Sequence, residues 1–170
     1  MANTYIVFNG AMATIAAPTA ITTSAVIKTL LQLKPALPIS VVEWGISFDG
    51  SAAATPGKVE LIETDVAATV TAFAAADVQP YNDPNAPANT AGTSGTPLNL
   101  GTTHSGFTSS GEGTTTASRM FDLQLLPPTQ IYVKQFPLGE RPKVATAKFL
   151  RVRVTFGTAI NALCYVVFEV

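Results

Sequence analysis

The chain has 170 residues, 47% hydrophobic and only 12% charged, and its ten basic and eleven acidic side chains leave a net charge of −1. That length suits one domain whose core needs neither disulfides nor metals, and the balanced charge leaves no broad electrostatic footprint for nucleic acid. Apolar runs stop short of the roughly 20 residues that span a bilayer, and MANTYIVFNG lacks the basic flank and apolar run of a signal peptide, so no membrane partner is expected.

Residues 4–8, TYIVF, read as a first strand. SAVIKTLLQLK fits a capped helix through Val26, Ile27, Leu30 and Leu31, and also a strand; the strand, near 28–34, agrees with its neighbours. In VVEWGISFDG, Val42, Trp44, Ile46 and Phe48 alternate with Glu43, Gly45, Ser47 and Asp49. This is a strand with one buried face and a closing Asp-Gly turn, and it places Trp44 in the core. SAAATPG reads as a turn into KVELIET, an antiparallel partner of the strand before it, with Val59 and Leu61 facing away from Lys58, Glu60 and Ile62. DVAATVTAFAAADV fits a helical turn or an irregular excursion.

Residues 80–118 change character, with Gly, Ser, Thr, Asn and Pro dominant and Asp83 and Glu112 the only carboxylates before Arg119. Loops of that length are uncommon in compact domains unless they are functional, and a neighbouring subunit is the expected support. Beyond it, MFDLQLL places Phe121, Leu123 and Leu125 on one face, and QIYVKQF sets Ile131 and Val133 opposite Tyr132, Lys134 and Phe136. FLRVRVTF alternates Leu150, Val152, Val154 and Phe156 with Phe149, Arg151, Arg153 and Thr155, and forms a hairpin with ALCYVVFEV. About eight strands with no convincing long helix predict an all-β, single-domain antiparallel β-sandwich of jelly-roll type over residues 1–170, with 80–118 as a long loop.

Chemistry is sparse. The one histidine, His104 in GTTHSGF, has no recognisable base or orienting partner and reads as exposed or interfacial. The lone Cys164 excludes an internal disulfide and reads as a small buried apolar residue. Glu60, Glu63 and Asp65 lie close in sequence, but Glu60 points to the opposite strand face from the other two. With Lys148, Arg151 and Arg153 form a small basic stripe, read as facing solvent or another subunit. No phosphate-binding motif occurs. No catalytic residue, metal ligand or cofactor is therefore expected, and the chain does not read as an enzyme.

Together, VVEWGISFDG, KVELIET, QIYVKQFPLGERP and the terminal FLRVRVTFGTAINALCYVVFEV resemble a group of small structural proteins of tailed bacteriophages. In these a VxEWGxSFDG strand, a QYPLGREP-like loop and an LRVxxPxxVNxxxYxxFE terminal hairpin recur. The likeness covers most of the chain but is poorest over 11–38 and 80–118. It departs at QFPLGERP and at the turn FGTAIN, which has no proline. The resemblance implies a jelly-roll virion protein on the phage head, a decoration or cement protein that forms homotrimers and binds the major capsid protein. Contact candidates are then Tyr5, Tyr81, His104, Phe107, Phe136, Arg141, Arg151 and Arg153, with the N-terminal strand and the 80–118 segment as carriers. One alternative is a glycan-binding tail or spike module using Tyr81 and Phe107. A shell subunit is less favoured, because basic arms facing a genome are missing.

Overall fold

The computed structural model describes residues 2–12, 19–53, 55–89 and 96–170. Strands form where apolar residues alternate, and they assemble into two antiparallel sheets. In spatial order the first sheet holds β10 (Ile131–Gln135), β4 (Ile39–Phe48), β13 (Asn161–Glu169), β1 (Thr4–Phe8) and β7 (Gln79–Pro80). Short β2 (Ile21–Thr22) pairs with β13, and β11 (Lys143–Val144) with β4. The second sheet runs β6 (Thr69–Ala72), β8 (Gly106–Gly111), β3 (Lys28–Leu33), β12 (Phe149–Thr155), β5 (Gly57–Thr64) and β9 (Ser118–Leu126). A 3-10 turn, Ala75–Asp77, follows β6. The chain is an all-β sandwich.

Between the sheets, Leu31, Leu33, Val59, Leu61, Leu150 and Val152 meet Val7, Val41, Trp44, Ile46, Cys164, Val166 and Phe168. The alternation in FLRVRVTF decides the inward set, since Leu150, Val152, Val154 and Phe156 are all buried. In β4 the alternation breaks once. Val41 lies opposite Phe168 and Glu43 opposite Val167, so Val42 is an extra residue. That bulge reverses the phase of the strand: Ile39 and Val41 face inward before it, Trp44 and Ile46 after it. Val42, expected beside Trp44, is only half-buried as a result.

Two pairings expected from the sequence are not formed. β4 and β5 lie in different sheets, as do β12 and β13. Each of these strands has one apolar face, and crossing between sheets lets those faces meet through the core instead of lying side by side. The strand expected near 28–34 is β3, Lys28–Leu33. The expected long loop contains β8, inserted between β6 and β3 with Phe107 opposite Leu31 and Thr71. At Gly106 a Cβ would collide with the Thr71 carbonyl, so this close approach needs glycine. Residues 90–95 of that segment lie outside the described residues.

Candidate interaction surface

The His104 ring sits 3.3 Å from Thr103 Oγ1, and its carbonyl accepts a 2.6 Å bond from Gln32 Nε2. The residue therefore holds a backbone crossing together through its main chain. Cys164 is buried in the core, where desolvation pushes its thiol far above the ordinary range and leaves it unreactive. Among the described residues, no group of three or more His, Cys, Asp or Glu is placed to hold a metal.

Over β3 and β12 the outer face of the second sheet is covered by the chain itself. Between β5 and β6, Val66–Ala68 passes over β12 and β3, and Gln32 binds the backbone of Ala68 with both ends of its amide (Oε1 accepts from Ala68 N at 2.7 Å, Nε2 donates to Ala68 O at 3.2 Å). Beside it lies Arg151, with no exposed side-chain surface. Its Nε donates to Thr29 Oγ1 at 2.9 Å, and its guanidinium pairs with Glu112, whose carboxylate also accepts from the Thr29 amide at 2.6 Å. Desolvation draws the Arg151 pKa down and the Glu112 charge opposes this. Arg153 is paired with Glu60 at 3.0 Å and largely covered. Of the basic stripe expected at the surface, Arg151 is internal because the segment carrying Glu112 folds back over it, Arg153 is largely covered, and Lys148 is half-buried.

A second polar cluster joins the two sheets at one side. Asp122 of β9 points inward and accepts from Trp44 Nε1 at 3.2 Å and from Tyr132 OH at 2.8 Å; Gln124 Nε2 donates to its other oxygen at 2.9 Å, and Lys134 Nζ lies 3.4 Å away. Burial alone would raise the Asp122 pKa, but the Gln124 and Tyr132 bonds and the Lys134 charge outweigh it and hold the value below the ordinary one. Burial, and then the bond to Asp122, push Tyr132 up to about 12.

This cluster fixes β9 and β10 at the same side of the sandwich, where each is the last strand of its sheet. Their outward side chains are apolar. Leu125 is 73% exposed, Ile131 72%, and Leu138 in the following turn 84%, while Leu123 and Val133 are half exposed. Ile131 and Val133 also border a shallow groove of about 230 Å³ on the outer face of the first sheet, completed by Phe8, Leu163 and Tyr165. The Tyr165 ring lies flat there because Gly45 has no side chain, and a Cβ would meet the ring at 2.5 Å. Its hydroxyl donates to Glu43 at 2.5 Å.

The residues expected to make contacts are mostly elsewhere. Tyr5 is buried and stacked on Phe168 at 5.7 Å, Phe136 is buried, and Arg151 is internal. Phe107 packs on Phe73 at 5.6 Å. Arg141 is mostly covered and paired with Glu169 at 2.5 Å. Tyr81 is 63% exposed and His104 half-buried. Leu123, Leu125, Ile131, Val133 and Leu138 were not among the expected contacts. One signal for them exists: MFDLQLL and IYVKQ each place apolar residues on the face opposite a residue of the Asp122 cluster. No family model, curated protein or solved structure matches the chain.

Proposed function

We propose that the chain is a virion structural protein that decorates and stabilises a phage head, working through surface contact with the major capsid protein and with copies of itself. The observation that carries this reading is the apolar edge formed by β9, β10 and the Leu138 turn. Exposed apolar side chains gathered at one side of a folded domain mark an interaction site, and unprotected edge strands recruit partners. The near-neutral charge lets many copies crowd one surface with little repulsion. Each bound copy then adds its binding free energy to the stability of the shell beneath it. The likeness of VVEWGISFDG and QFPLGERP to phage structural proteins supports the same reading, and with it a jelly-roll connectivity and a place on the virion.

A glycan-binding tail or spike module is supported less well. It would need exposed aromatics at the loop tips, and among the described residues Tyr81 is the strongly exposed one, with Phe107 packed inward. Immunogold labelling of particles released by cells carrying the gene separates the two readings. Label over the head is the expected result. Label confined to tail tips, or protein that stays free of particles, would overturn the proposal.

A further inference from the structure

The geometry points to a self-pairing edge: β10 of one copy adds antiparallel to β10 of a second copy, centred on Val133. This deepens the assembly reading by naming a first partner, and it stands or falls separately from head binding.

The backbone directions set the register. Phe136 donates its amide to Val42 O at 2.8 Å, and β10 pairs with β4 without a slip. In an antiparallel ladder the bonded positions alternate, so Tyr132 and Lys134 also turn their amides and carbonyls towards β4. Ile131, Val133 and Gln135 therefore turn theirs away from it, to the side where β10 has no neighbouring strand among the described residues. A two-fold axis at Val133 matches these groups to themselves: Val133 faces Val133, and Ile131 faces Gln135, in bonded pairs.

Charge decides that the added strand is a second copy. A two-fold contact sets every residue against its own kind or its register mate, so a charged edge would repel itself. Here Ile131, Val133 and Gln135 are uncharged, and the single charge of β10, Lys134, is drawn inward to Asp122. Edges that resist self-association carry outward lysines, prolines, bulges or inward-pointing charges. β10 has the last of these in Lys134, but Asp122 neutralises that charge; its open side carries no outward lysine, proline or bulge, and the bulge in β9 falls at Phe121, apart from Leu123 and Leu125. Extending the same register brings the exposed Leu138 level with Pro128 of the second copy. The groove beside Val133 then becomes continuous across the axis.

The available area is adequate. In this register the five residues of β10 span about 17 Å at ~3.4 Å per residue, and the flanking turns out to Pro128 and Leu138 lengthen the contact to roughly 30 Å. Two sheets about 10 Å apart, with their outward side chains, give it a depth of roughly 20 Å. The pair then buries on the order of 1,200 Å² in total, the lower limit of standard-size specific interfaces.

Sedimentation equilibrium on the full chain tests this. Wild type should sediment at twice 17.7 kDa, about 35 kDa. Val133→Lys and Val133→Glu, at a half-exposed position, should each fall to 17.7 kDa with unchanged β circular dichroism, and an equimolar mixture of the two should return to about 35 kDa. Only a contact that sets residue 133 against itself gives that rescue. Hydrogen exchange on wild type keeps the test independent of variant folding: the amides of Ile131, Val133 and Gln135 should slow on concentration. A wild-type monomer, a trimer near 53 kDa, a mass insensitive to Val133→Lys, failed rescue by mixing, or concentration-independent exchange would each overturn the inference. A dimer that leaves phage heads unlabelled would instead overturn the decoration reading and leave this one standing.

Discussion

Replacing Glu112 by alanine would leave a guanidinium inside the protein without its counter-charge. Arg151 has 0% of its side chain exposed and Glu112 27%. Removing one partner from a fully buried pair costs about 3–5 kcal/mol. Two features reduce that figure. Thr29 Oγ1 still accepts from Nε at 2.9 Å and from a terminal nitrogen at 2.6 Å, and the Glu112 carbonyl, which alanine keeps, accepts at 3.2 Å. Glu112 is also partly open to water, so solvent can enter the site it leaves. A loss of about 2–3 kcal/mol is expected on these grounds. At about 2–4 °C per kcal/mol for a chain of this size, the midpoint of thermal unfolding should fall by roughly 4–12 °C. Glu112→Gln, which keeps an acceptor, should lose less. The paired change Arg151→Met with Glu112→Leu should also lose less than Glu112→Ala alone, because no charge is then left buried. If Glu112→Ala melts with the wild type, or the paired change is the worse of the two, Arg151 is not held in the way described.

Two further outcomes follow from the packing. Because the Asp122 pKa is depressed in the folded state, its contribution is complete above the unfolded carboxylate value of about 4 and is lost as pH falls through the lower folded value. Urea unfolding should therefore find Asp122→Asn well below wild type at pH 7, with the gap narrowing as pH falls below about 4; a gap that stays constant on acidification would contradict this. At Gly57 a Cβ would fall inside the Phe156 ring, which is buried and packed against Phe48 at 4.8 Å. Gly57→Ala should cost about 1–3 kcal/mol by overpacking, and a variant as stable as wild type in the same melts would refute the placement.

The sequence made some parts of this fold legible and concealed others for physical reasons. Period-2 alternation identifies which side of a strand is apolar, so the inward set of β12 and the core position of Trp44 could be read directly, and Cys164 could be placed in the core by its type. It does not tell which sheet a strand joins. For that reason β4–β5 and β12–β13 looked like hairpins although each pair is split across the core. The extra residue at Val42 has no mark in its own letters, since a bulge depends on the register of β13 opposite. Arg151 looked like a surface residue because the group that covers it, Glu112, lies 39 positions earlier. β9 and β10 misled in the opposite direction. Leu123, Leu125, Ile131 and Val133 have the composition of a core face, and only their place at the ends of two sheets exposes them.

The two outer surfaces are treated in contrary ways, and that contrast argues for assembly more strongly than either does alone. Over the second sheet the chain lays its own backbone across Arg151, Thr29 and Gln32, satisfying polar groups that water would have served equally well. Along the β9–β10 edge it leaves apolar side chains in water, where each square ångström left uncovered forgoes about 25 cal/mol. A domain optimised to remain alone would hide the second surface before the first. Nothing in the backbone prevents this, since Leu138 and its turn lie beside the edge without closing it. The unclaimed free energy becomes available when another surface arrives, and association there adds to folding stability in proportion to partner concentration. On the particle surface proposed above, neighbouring copies would meet that condition, and the apolar edge would serve a chain that works in company.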